Sequence, residues 1–460
     1  MGRNRSLAII CGAAGLALVL LVLFLVRPEA AVATAQTAAG RTVVGVATCG
    51  GTTCHGRSEA DGKIVRQDEL MIWQDPSSPS GAHSRAWQVL AEPRSRAIAQ
   101  RLGIGEATSA PMCLGCHATP AGGSRGARFQ TSDGVGCEAC HGAASSWLSS
   151  HYAVGANHAA NVSRGMIPLD NPKARASVCL DCHFGSADSG QFVSHRIMAA
   201  GHPRIAFELD LFSTLQQHHN EDADYAARKG RTNPVKMWAV GQAMALDRSL
   251  SLFADARRGM EGMFPEFYFL DCHSCHRPIS DDPRFAPTAL DNPGRPIPEG
   301  MPPYNDENMI MLAAAAKVVA PSLADRFTRD SRAFHQAMAK DRAAAVAAAV
   351  TLRDSARALA NAFAAADLGP AQAFAIVDAI THEAVSDRFT DYAGSVQAVM
   401  ATDTLLSALV NMGAVGPGAA QSIRGDLNTA YRAVRDPNAY RPREFRASLG
   451  RAASAIRSLR

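Results

Sequence analysis

The sequence is short of three things. It has little net charge: 46 Lys and Arg stand against 42 Asp and Glu, a formal +4 over 460 residues. That balance excludes a strong electrostatic partner, and nucleic acid with it. It has no convincing run of alternating polar and apolar residues, so a sheet architecture is not expected. And no cysteine follows Cys275, so cysteine chemistry is confined to the chain before that point. The apolar share, 47%, is ordinary for a globular protein. The length allows two or three domains.

What is present begins with an export pattern. Arg3 and Arg5 precede an uncharged run from Ser6 to Val26, Arg27 and Pro28 end it, and Ala30, Ala31, Ala33 and Ala35 follow. Basic residues, an apolar stretch and a small-residue tail make a signal segment. The run also matches the ~20 residues that cross a bilayer. Residues 1–35 are therefore a cleaved signal peptide or a retained single membrane anchor, formed by residues 6–26. In either case the basic end stays inside and the rest is exported, to the periplasm. Cys11 lies within this run and reads as an apolar side chain without function.

The remaining ten cysteines fall into five pairs between Cys49 and Cys275. Four pairs have two intervening residues and a histidine directly behind: Cys113-Leu-Gly-Cys116-His117, Cys137-Glu-Ala-Cys140-His141, Cys179-Leu-Asp-Cys182-His183 and Cys272-His-Ser-Cys275-His276. The fifth, Cys49-Gly-Gly-Thr-Thr-Cys54-His55, has a four-residue gap. Thiols at this spacing can each add to one vinyl group on an edge of a porphyrin, and the following histidine then sits beneath the iron. The longer gap serves equally if Gly50 and Gly51 let the extra residues loop out. A disulfide framework, structural zinc and coincidence are the competing readings. None requires histidine behind every second cysteine, and only 15 of 460 residues are histidine. The expected cofactor is heme c, about five groups.

The expected fold is mainly α. Residues 41–300 form a loop-rich multihaem cytochrome c domain, with Gly, Pro and Ser frequent, as in the stretches 75–81 and 121–124. A Pro-rich linker follows Asp281, through Pro283, Pro287, Pro293, Pro296, Pro298, Pro302 and Pro303. Residues 305–460 read as an Ala-rich α-helical bundle. One helix stops before Pro321, and Ser322 is expected to cap the next. Asp341 opens a long helix that ends near Gly369, Pro370 starts another, and Leu405, Leu406, Leu409 and Val410 form a further stripe.

Ten histidines remain: His83, His151, His158, His195, His202, His218, His219, His273, His335 and His382. A second imidazole on an iron makes a six-coordinate electron carrier, a methionine raises the potential, and an open face can bind substrate. His83 is expected to open a helix and to be a ligand, and His202 is similar. His151 and His158, like His195 and His202, are spaced so that each pair could share a helix face. A single ligand per pair is as good a reading as two. His218 and His219 are expected to supply one ligand. His273 could cap a neighbouring haem. His335 and His382 read as surface residues. Met112 and Met198 are a minor alternative, since methionine is more often core filler.

These motifs, with His83-Ser-Arg-Ala-Trp87 and Gly201-His-Pro-Arg204, resemble the multihaem cytochrome c superfamily. It contains the tetrahaem electron acceptor of nitrifying bacteria and hydroxylamine oxidoreductase. The resemblance covers roughly residues 43–280. It implies that His83 is an axial ligand and that His202 and the His218–His219 pair are distal positions. The first motif departs from the family's two-residue gap, and the C-terminal helices resemble nothing comparable.

The expected function is electron transfer between a redox partner protein or a membrane quinol-linked donor and a periplasmic acceptor. The alternative is a redox enzyme acting on a small nitrogen or sulfur oxyanion at an open iron. The first motif would supply that iron, with Arg57 and Lys63 holding the anion.

Overall fold

The computed structural model describes residues 40–61, 66–187, 190–277, 295–298, 301–386 and 391–460. The N-terminal run 1–35, Cys11 and Lys63 lie outside them. The fold is mainly helical. Among the described residues, strand pairing is limited to two isolated bridges, Val43 with Arg125 and Leu270 with Tyr304.

Up to His219 the helices are mostly one to three turns long. Glycine and proline set those limits locally. Pro93 opens the helix Pro93–Leu102, and Gly103 stops it with a left-handed φ of 68°. His83 does not open a helix. It closes the short 3-10 turn Pro79–Ala82, whose start is set by Ser78 and Pro79. His151 ends the helix Leu148–His151, and His158 begins a separate one, His158–Ser163. His195 begins His195–Ala199, and His202 lies beyond its end. Gly155 and Gly201 turn the chain between the members of each pair, with φ of 78° and 115°. Neither pair shares a helix face.

The longer helices are α1 (Pro172–His183), α2 (Pro234–Ala254), α3 (Glu307–Val319), α4 (Pro321–Met338), α5 (Arg342–Ala365), α6 (Pro370–Ala384), α7 (Tyr392–Asn411), α8 (Pro417–Ala433) and α9 (Pro442–Arg457). Six of the nine begin with α1, α2, α4, α6, α8 or α9's proline, whose fixed φ suits a first helical position and whose missing N–H is no loss there. Asn171, Asn233, Asp341 and Asp391 cap α1, α2, α5 and α7 through their side chains. Ser322 caps nothing. Pro321 already occupies the first turn, so Ser322 falls inside α4.

The long α2 was not signalled by an apolar stripe, because it is apolar nearly all round. Val235, Trp238, Ala239, Val240, Ala243 and Leu250 are all fully buried. It packs against α1 on one side and α5 on another. α4 packs on α5, α6 on α7 and α8 on α9; α5, α7 and α3 touch α2, α3 also lies against α6 and α7, and α8 and α9 pack on α7. One continuous core therefore runs from Ala176 in α1 to Ile456 in α9. The helix α7 is apolar enough to cross a bilayer, with a mean hydropathy of 1.3, but 78% of that window is buried within the protein. It is a core helix here.

Several polar groups inside this core are paired. Asn308 donates to Gln242 (2.7 Å), Gln242 to Gln397 (3.2 Å), and Gln397 to the Phe207 carbonyl (3.0 Å), joining α3, α2 and α7. Arg295 bridges Asp306 and Asp391, the latter at 3.0 Å. His335, expected at the surface, is buried at 2% exposure with Nε2 3.4 Å from Asp306. A polar contact with Asp306 gives this side chain a reason to be inside. His382 is exposed.

Leu359 is fully buried on α5, the helix that packs on both α2 and α4. Leu359→Ala should lower stability by about 2–5 kcal/mol in urea unfolding. Val350→Ala, on the same helix but 47% exposed, should change it by less than about 0.5 kcal/mol.

Candidate haem sites

The helix explains the two-residue motif. Residues at i, i+3 and i+4 share a face, so one helical turn presents both thiols and the imidazole together. The second, third and fourth motifs lie on Pro111–His117, Cys137–His141 and the end of α1. The fifth forms a 3-10 turn over Cys272–Ser274, capped by Asp271. In the first, the helix Val46–Cys49 stops at Cys49 and the chain loops out. Cys54 N–H then donates to the Gly51 carbonyl (2.8 Å) and His55 N–H to the Cys49 carbonyl (3.2 Å). That fold-back returns the histidine to its place behind the motif. All ten cysteines are free, so the disulfide framework is not formed.

The histidines come together in pairs. His55 faces His151 with ring centroids 6.2 Å apart. His117 faces His202 at 6.3 Å, and His183 faces His83 at 6.0 Å. His276 faces His195 at 6.2 Å. His141 faces both His218 (6.3 Å) and His219 (6.2 Å). An iron between two imidazoles, with metal–nitrogen bonds of about 2 Å and roughly 1 Å from nitrogen to ring centre, needs about 6 Å between centroids. The five sites fit that requirement.

The second ring nitrogen points the same way. His117 Nδ1 donates to the Ala86 carbonyl (2.7 Å) and His202 Nδ1 to the Pro203 carbonyl (2.8 Å), and His218 Nδ1 lies 3.2 Å from the Gln216 carbonyl and 3.0 Å from the Gln216 side-chain amide nitrogen. His55 Nδ1 lies 3.0 Å from the Glu69 carboxylate. Holding Nδ1 leaves Nε2 as the free ligand atom and sets the ring's orientation. Burial pushes His141 down to about 3, helped by the His219 and His218 rings. Burial takes His183 and His218 down to about 4, each helped by a neighbouring imidazole. These rings are neutral at ordinary pH, the form a metal needs. His55 is shifted upward by its bond to Glu69.

The scaffold holds the backbone at or beside three of the partner histidines. The His83 carbonyl accepts from Val135 N–H (3.0 Å), just before the third motif. Arg94 and Arg101 donate to the Gly201 and Ala200 carbonyls, both at 2.8 Å, and hold the His202 loop against the helix Pro93–Leu102. His195 N–H donates to Glu266 (2.8 Å). Gly115, within the second motif, touches Gly190. A Cβ there would lie 2.7 Å from the Gly190 carbonyl oxygen, so no larger residue fits.

Other candidates stand apart. His158 is exposed beside Asp170 (3.2 Å). His273 does not face a motif histidine; its Nδ1 donates to the Pro437 carbonyl (2.7 Å) and its ring packs on Tyr440. Met112 and Met198 pack against apolar clusters. Arg57 is engaged with Asp61. His195 was named from sequence only as a partner of His202, and two residues of the sites, Glu69 and Glu138, were not singled out at all. The seven-residue spacing to His202 was the signal for His195. The two carboxylates carried none, because their partners are distant in the chain.

Glu138, buried inside the third motif, accepts N–H bonds from Val44 (3.0 Å), Gly45 (2.8 Å) and Ala144 (2.7 Å). It ties the start of the first site to the third. Glu138→Gln replaces one accepting oxygen with a donor that faces donors. It should cost about 1–3 kcal/mol in thermal or urea unfolding.

Residues 52–142 match the sequence model of a family described as cytochrome c554 and c-prime. The match takes in His55, His83 and the motifs at Cys113–His117 and Cys137–His141. No curated protein and no solved structure matches the chain. Over the stretch that holds these motifs, about a fifth of its length, the chain is similar to a family of c-type cytochromes.

Proposed function

We propose that this chain is a periplasmic electron carrier holding five haem c groups, each between two histidines. The observation that carries the reading is the set of five facing imidazole pairs at 6.0–6.3 Å. Cys49 and Cys54, Cys113 and Cys116, Cys137 and Cys140, Cys179 and Cys182, and Cys272 and Cys275 would hold the porphyrin edges. His55, His117, His141, His183 and His276 would be proximal ligands. His151, His202, His83 and His195 would face the first, second, fourth and fifth, and one of His218 and His219 the third. Each haem, when bound, supplies a one-electron Fe(III)/Fe(II) couple.

The polypeptide sets these sites side by side. The helix Val46–Cys49 packs on Cys137–His141, which packs on α1, which packs on Pro111–His117. Cys182 Sγ lies 3.7 Å from the Gly115 carbonyl. His202 of the second site and His195 of the fifth share one short segment. In chain numbering the sites thus adjoin in the order first, third, fourth, second, fifth. This row suits a carrier with two ends. Among the described residues no motif histidine lacks a facing imidazole, so no observation favours an open catalytic iron. The N-terminal run supports export, and a redox partner protein or quinol-linked donor would deliver electrons.

The full-length oxidised protein should contain five haems by pyridine haemochrome and show only low-spin EPR signals. A lower count or a high-spin signal would overturn the reading. His83→Ala and His202→Ala should each convert one of the five irons to high spin and leave the count unchanged.

A further inference from the structure

The five proximal histidines are not held alike. The buried carboxylate Glu69, with 9% of its side chain exposed, lies 3.0 Å from His55 Nδ1. The corresponding partner of His117 is a neutral backbone carbonyl, Ala86. His183 Nδ1 is buried with no hydrogen-bond partner among the described residues. Glu69 comes from the helix Glu69–Gln74, and Leu70 N–H donates to the His55 carbonyl (2.9 Å), so its reach to the ring is set by backbone as well as side chain. The other carboxylate oxygen lies 3.9 Å from His219 Nδ1, beside the third site.

We propose that Glu69 is a positioning residue that holds His55 through Nδ1–H and lowers the reduction potential of the first site. This rests on the reading that a haem occupies that site. A carboxylate accepting Nδ1–H makes the imidazole a stronger electron donor. A stronger donor favours Fe(III) over Fe(II). The negative charge acts in the same direction, and burial lets it act with little screening. The step affected is the addition of one electron, supplied by an external one-electron donor, to Fe(III) to give Fe(II). The shared proton remains between Nδ1 and the carboxylate, and no bond is made or broken. The unusual gap of the first motif thus accompanies an unusual ligand environment: it is the one site among the described pairs with a carboxylate hydrogen bond on its proximal ring.

The test is a spectroelectrochemical titration of the full-length, haem-loaded protein and of Glu69→Gln, with haem counting and EPR on both. Glutamine keeps the shape and an accepting oxygen but removes the charge. The expected result is five low-spin haems in both proteins and one midpoint raised in the variant. The equilibrium for reducing that site should shift about tenfold, equivalent to ~59 mV for a one-electron couple. Glu69→Asp, which keeps the charge, should hold that component nearer to its original midpoint than glutamine does. Asp170→Asn, at the exposed His158–Asp170 pair, should move no component. Five intact haems with all midpoints unchanged in Glu69→Gln would overturn the proposal. Loss of a haem with no shift in the others would assign Glu69 to assembly and overturn it too. If peptide mass analysis of the unaltered protein finds Cys49 and Cys54 unmodified, the five-haem reading fails, and this proposal falls with it.

Discussion

Two imidazoles that share a metal must lie about 6 Å apart, and the cysteine-bearing half of this chain holds five histidine pairs at that spacing. Each facing pair joins residues roughly eighty to a hundred positions apart in sequence. Such links close long loops, which a chain of short helices and glycine turns cannot do cheaply by itself. The scaffold contributes by holding backbone near each ring: Val135 at His83, Arg94 and Arg101 at His202, Glu266 at His195. Burial keeps His141, His183 and His218 neutral.

The fifth motif is fastened differently from the others. Asp271, directly before Cys272, accepts N–H bonds from Tyr392 (3.0 Å) and Ala393 (3.2 Å) at the start of α7. His273, between the two cysteines, bonds to Pro437. Arg204, beside the His202 loop, pairs with Glu307 of α3 (3.0 Å) and lies 3.6 Å from Cys272 Sγ. The C-terminal helices therefore act on a cysteine motif directly, although they contain no cysteine. The continuous core from α1 to α9 gives that fastening a rigid base.

Charge is used sparingly but in places where burial makes it strong. Glu69, Glu138 and Asp271 each satisfy N–H groups close to a motif. Arg295 sits between Asp306 and Asp391, and Asp306 also meets His335. A buried carboxylate without such partners would cost several kcal/mol. These groups fix how segments far apart in sequence meet.

The five cysteine motifs were legible in the sequence, because two cysteines followed directly by histidine is a local pattern that needs no tertiary knowledge. The helical class was equally legible, from Asp341 and Pro370 as helix starts and from the absence of strand alternation. The sequence also gathered a pool of candidate partner histidines that included His83, His151, His195 and His202. It did not pair them, since a pairing across some eighty residues leaves no trace in local spacing. It placed His335 at the surface because its partner Asp306 is near it only after α3 and α4 pack. The buried α2 escaped notice because a helix apolar on all sides has no stripe to read. Tertiary structure alone decided which imidazoles face each other, and which of them carries a carboxylate. Both depend on distances between segments, and those are set only when the helices meet in a common core.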